Sequence, residues 1–105
     1  MTDSTDLTTA YNAFKTASRA YIEAIEAENL AEKKLIEKEQ EIHKEKFRKV
    51  LAGDRSMAEF ERILKYETTL ERIDFKKKKK IKQIARQNEK QSEEELNYLK
   101  KMISL

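Results

Sequence analysis

The sequence predicts an all-α protein, a long antiparallel two-helix hairpin of the coiled-coil type. Three observations predict it. Charged residues make up 41% of the 105-residue chain and proline is absent; Ala, Glu, Lys, Leu, Ile and Arg in such abundance mark long helices. Apolar residues recur at steps of three and four through both halves. The only glycine, Gly53, stands close to the midpoint, where a single turn folds the chain back on itself. One domain, residues 1–105, is the ceiling at this length. Helix one is expected over about residues 6–52, a turn over 53–56, and helix two over about 57–103.

The first helix opens on Asp3, Ser4, Thr5 and Asp6, which supply N-cap oxygens and negative charge for its positive end. Leu7, Tyr11, Phe14, Tyr21 and Ile25 follow at helical spacing, with Ala10, Ala17 and Ser18 permitting close approach. From Glu23 to Glu45 the helix becomes highly charged, and Leu30, Leu35, Ile36 and Ile42 keep a thin apolar seam. Phe14, Ile25, Ile36 and Phe47 are each eleven residues apart. An eleven-residue period is about three turns, so this ladder predicts a nearly straight seam.

The turn follows from local chemistry. Arg48 and Lys49 offset the negative end of helix one, and Gly53 accepts the left-handed conformation of a C-terminal cap. Ser56 and Glu59 form a capping box that starts the next helix. So short a connection makes the two helices antiparallel neighbours.

Helix two begins with Met57, Phe60, Ile63, Leu64, Leu70 and Ile73 at seam positions, with Glu67, Glu71 and Arg72 on flanking faces. Leu70, Ile81 and Ile103 extend a second eleven-residue ladder, with Ser92 as its polar rung. Ser92-Glu93-Glu94-Glu95 is a further capping box, so a break near Asn88–Ser92 would release a short third C-terminal helix. The final stretch returns beside Leu7, Tyr11 and Phe14. Tyr11, Phe14, Tyr21 and Tyr98 are expected in one apolar knot, and Tyr98, Met102 and Leu105 are candidates for exposure to a partner or a second copy. Tyr11, Phe14, Tyr21, Tyr98 and Met102 are the candidates for self-association or partner contact, because two helices have little core of their own.

Lys76-Lys77-Lys78-Lys79-Lys80, with Lys82 and Arg86, is a basic run. Residues 1–52 carry nine Lys/Arg against ten Asp/Glu, and residues 53–105 fourteen against ten, within an overall net charge of +3. Such a run can neutralise phosphates, which makes electrostatic nucleic-acid binding the alternative function. Successive lysines point all round a helix, however, and Phe75 is the only aromatic near them. A turn centred near Asp54 would put residue i beside roughly residue 108 − i, facing the lysines with Glu23, Glu26, Glu28 and Glu32. Opposed blocks of this kind set register more than stability.

Catalysis is not expected. The chain has no cysteine and one histidine, His43. Its carboxylates have no pocket to shift their pKa. His43 with Glu39 supplies two metal ligands at most, short of a site. No cofactor is expected. No apolar run approaches the roughly 20 residues that span a bilayer, so no transmembrane segment is expected. The acidic, polar start reads as a non-secretory N-terminus, hence a cytoplasmic location, although signal-independent export would leave no mark.

At a coarse level the outline, about a hundred residues with Leu51-Ala52-Gly53 at the turn, resembles the small secreted hairpin proteins whose turn carries a Trp-x-Gly motif. Leu51 stands where that tryptophan would be, and Met102 follows Tyr98 where the family ends on an acidic residue. No site or activity carries over from that resemblance. The expected function is a non-enzymatic protein–protein interaction module: an adaptor, chaperone-like protein or assembly factor. Its expected partner is another protein or a second copy in a homodimer.

Overall fold

The computed structural model describes residues 4–53 and 55–104. Asp3, Asp54, Leu105 and the side chains of Ser4 and Thr5 lie outside the described part. The fold is an all-α helical hairpin. Among the described residues there are three helices: α1 (Ser4–Leu51), α2 (Met57–Glu67) and α3 (Thr69–Ser104). They are shared between two compact units. The first comprises Met1–Ala27 with Lys79–Leu105, and the second Glu28–Lys78.

The reversal lies within the second unit. Gly53 has φ +80°, and its N–H donates to the Val50 carbonyl at 3.0 Å while Arg55 N–H reaches Lys49 O at 3.2 Å. These bonds satisfy carbonyls that the helix end leaves open. Ser56, in extended conformation, accepts from the Glu59 N–H at 3.1 Å and so caps α2. A Cβ built on Gly53 meets nothing within 4 Å, so only the backbone resists substitution there. Gly53→Val should therefore cost about 1–2 kcal/mol, the penalty of a left-handed L-residue, and Gly53→Asn distinctly less. Urea denaturation followed by circular dichroism checks both.

The return helix breaks, but not where Ser92 suggested. Helix α3 runs unbroken through Asn88–Ser92, and the interruption is at Thr68. Thr68 Oγ1 donates to Leu64 O at 2.7 Å, and Thr69 Oγ1 to Tyr66 O at 2.8 Å and Lys65 O at 3.1 Å. Two adjacent hydroxyls thus compete with backbone N–H groups for the same carbonyls, and such back-bonding bends a helix. The ladder resumes at once, since Arg72 N–H donates to Thr68 O at 2.9 Å.

Of the eleven-residue ladder on α1, Phe14, Ile25 and Phe47 are half-buried and Ile36 is exposed. The buried and half-buried positions of α1 include Ala10, Phe14, Ala17, Tyr21, Ala24, Glu28, Ala31, Leu35, Lys38 and Ile42, alternating steps of four and three. This is a heptad seam. Ala10, Ala17, Ala24 and Ala31 make one row of it, and larger side chains make the other. Leu30 and Ile36, expected in the seam, are exposed. Small side chains let a neighbouring backbone come close, so they hold seam positions that bulkier residues only flank.

Helix α3 departs further from expectation. Its packed row is Glu71, Phe75, Lys78, Lys82, Ala85, Glu89, Ser92, Leu96 and Leu99, again in steps of four and three. Glu71 and Arg72, expected on flanking faces, are half-buried, while Leu70, Ile81 and Ile103, the expected ladder, are exposed. Long Lys and Glu stems can cover a seam while their charges stay wet. Phe75, Ala85, Leu96 and Leu99 keep to the packed row, while Leu70, Ile73, Ile81, Ile84, Tyr98, Met102 and Ile103 are left facing outward.

Candidate interaction surface

In the second unit an aromatic trio joins the helices just before and after the turn. Phe60 is 3% exposed. His43 stacks on Phe47 with centroids 4.4 Å apart, and Phe60 meets His43 and Phe47 edge-on at 5.5 and 5.4 Å. Such pairs contribute about 0.5–1.5 kcal/mol beyond the area they bury. His43 is thus a packing residue on an exposed edge. Glu39, the second ligand a metal there would need, is engaged by Arg72. Among the described residues no group of three or more His, Cys, Asp or Glu side chains could hold a metal ion.

A polar cluster adjoins the trio. Arg72 Nε donates to Thr68 Oγ1 at 2.8 Å, and its terminal nitrogen reaches Glu39 Oε1 at 3.5 Å. Lys46 pairs with Glu67. These groups are about one-third exposed, so each ion pair is worth only about 0–1 kcal/mol. Their main effect is geometric: they tie α1 to α2 and to α3 on either side of Thr68. The sequence pattern did not point to Thr68. The signal for it was the Thr-Thr dipeptide inside an otherwise uninterrupted helical pattern.

In the first unit, Tyr21 is half-buried beneath the Arg86 guanidinium, 5.5 Å from the ring centroid. Phe47 with Phe60, and Tyr21 with Arg86, are each within about one residue of the pairing set by a turn centred near Asp54. Phe14 is half-buried in the seam. Tyr11 and Leu7 border a recess with Leu96 and Lys100. Tyr98 and Met102 are exposed, so the apolar knot of four aromatics is not formed. Tyr98 sits two residues from the packed Leu96, which turns it away from α1.

The basic run is spread around α3. Lys76, Lys77, Lys79 and Lys80 are exposed; Lys78 and Lys82 are half-buried. Lys78 lies 4.0 Å from Asp74 on its own helix, and Arg86 pairs with Glu89. The run is therefore not one basic face.

On one side of the first unit, α1 and α3 border a groove of about 670 Å³. Ala13, Thr16, Ala17 and Ala20 form one wall, and Ile81 and Ile84 stand on the other. Compared with protein-family models, curated proteins and solved structures, the chain matches none. Among the described residues no helix is long and apolar enough to cross a membrane.

Proposed function

We propose that the chain is a non-enzymatic helical-hairpin interaction module, acting as an adaptor, chaperone-like protein or assembly factor. One observation carries this reading: α3 gives seam positions to Glu71, Lys78, Lys82 and Glu89 beside Phe75, Ala85, Leu96 and Leu99, and leaves Leu70, Ile81, Ile84, Tyr98 and Met102 turned outward. Tyr66 and Leu70 are 82% and 79% exposed beside the kink, and Ile81, Ile84, Tyr98 and Met102 are exposed in the first unit. Exposed apolar side chains grouped on a surface are one mark of an interaction site. Residues that do not serve the chain's own core are available to another chain. A cytoplasmic setting belongs to this reading as an expectation, which cell fractionation checks.

Affinity capture from cells that make the protein tests it. A protein retained by the native chain should be lost when Tyr66 and Leu70 are both changed to Glu. Equal recovery with both chains would remove the reading. The exposed lysines favour a second reading, electrostatic binding of nucleic acid. Filter binding at 50 and 200 mM salt separates the two. A nucleic-acid binder should lose affinity steeply with salt, and Lys77→Gln with Lys79→Gln should flatten that dependence. Absence of binding at low salt removes it.

A further inference from the structure

Resting on the interaction-module reading and deepening it at the same site, we infer that the outward face of residues 62–77 takes an acidic amphipathic helix of another protein. Arg62, Tyr66, Leu70, Ile73 and Lys77 follow one another at steps of four and three, so they share one face. The break at Thr68 keeps their phase, because Thr68 N–H donates to Leu64 O and Arg72 N–H to Thr68 O, both across four residues. All five are exposed. The middle of the face is apolar: Tyr66, Leu70 and Ile73 are 82%, 79% and 45% exposed.

Charge names the occupant. Between residues 62 and 78 the exposed charged residues are all cations: Arg62 and Lys65 before the apolar stretch, Lys76 and Lys77 after it. None of these four forms an ion pair among the described residues. The acids of the same stretch, Glu67, Glu71 and Asp74, are half-buried. Glu67 is engaged by Lys46, and Asp74, whose side chain is the more open, lies 4.0 Å from Lys78. In the same unit α1 exposes both signs, Lys33, Lys34 and Lys44 against Glu37, Glu41 and Glu45, and so adds no preference of its own.

Along the helices the face runs cation, apolar, cation over about 22 Å. A partner helix of about four turns, with carboxylates in its end turns and large apolar side chains between them, matches that order in either direction. A phosphate backbone would leave Tyr66, Leu70 and Ile73 without a counterpart. A bilayer surface gives no reason for cations at the two ends of the apolar stretch rather than along its sides.

Fluorescence anisotropy of labelled synthetic peptides with the full chain tests the proposal. One peptide of about four turns carries leucines on one face of its middle turns and glutamates in its end turns; its twin carries lysines in the end turns. The glutamate peptide should bind about tenfold or more tightly than the twin. Lys76→Glu with Lys77→Glu should remove that preference while helicity is kept, because both side chains are exposed. Adding Arg62→Glu and Lys65→Glu should reverse it. Leu70→Ser should weaken the glutamate peptide about tenfold, which charge attraction alone would not do. Equal affinity for the two peptides, binding of neither, or Tyr66- and Leu70-dependent cosedimentation with phosphatidylserine vesicles in place of peptide binding would overturn the proposal. A cellular partner whose capture depends on Tyr66 and Leu70 but survives all the charge reversals also overturns it, and leaves the interaction-module reading standing. Peptide binding as expected with no cellular protein captured removes the adaptor role, while the preference of the face for an acidic helix stands.

Discussion

Phe60→Ala is expected to destabilise the protein by about 3–5 kcal/mol, the cost of deleting a buried aromatic and leaving a cavity behind. Phe60 is the buried member of the trio, and both His43 and Phe47 rest against it. Without its ring the two remaining aromatics face an apolar void and lose their edge contacts. Domains of ordinary stability hold only about 5–15 kcal/mol, so this single change removes a large share. Amides of residues 28–78 should lose protection from hydrogen exchange most. Phe60→Leu, which keeps most of the volume, should cost about 1.5 kcal/mol or less. A Phe60→Ala loss below 1 kcal/mol would mean that the trio does not hold the second unit together.

Thr68→Val comes next in expected effect, with a loss of about 1–3 kcal/mol despite almost unchanged shape. The hydroxyl is fully buried, donates to Leu64 O and accepts from Arg72 Nε at 2.8 Å. Valine removes both bonds and leaves a half-buried guanidinium N–H without its acceptor, and the unmet polar group sets the cost. Thr68→Ser, which keeps the oxygen, should stay much nearer the native value. Denaturation midpoints of the two variants check this. If Val and Ser behaved alike, methyl packing rather than hydrogen bonding would hold the break in place.

The hairpin was legible from Gly53, Ser56 and Glu59 because caps are local chemistry, fixed by residues a few positions apart. Register was legible to within a few residues, because one short turn sets the pairings beyond it: Phe47–Phe60 and Tyr21–Arg86 fall within one residue of the expected pairing, Glu39–Arg72 and Lys46–Glu67 three and five residues from it. The seam was legible only in part. Counting large apolar residues favoured Phe14, Ile25, Ile36 and Phe47, but close helix approach rewards small residues, so Ala24 and Ala31 took seam positions while Ile36 stayed exposed. The face of α3 was hidden for a related reason. Period alone places two stripes on that helix, one through Leu70, Ile81 and Ile103 and one through Phe75, Lys78, Lys82, Ala85, Glu89 and Leu96. Which stripe turns inward depends on the opposing helix, and periodicity within α3 carries no information about it. The break at Thr68 escaped because threonine is tolerated in helices; two in succession, both bonding back to carbonyls, are what bend the chain.

The aromatic trio has a consequence for the order of folding. Phe47 and Phe60 are separated by about a dozen residues, whereas Leu7 and Leu96 are separated by almost the whole chain. Closing the longer loop directly from the unfolded state costs roughly 1.7 kcal/mol more in chain entropy. The trio is therefore the least costly long-lived contact to make first, and each further rung closes only a small additional loop. Substitutions at Phe47 or Phe60 should slow folding, while substitutions near Leu7 or Leu96 should chiefly speed unfolding.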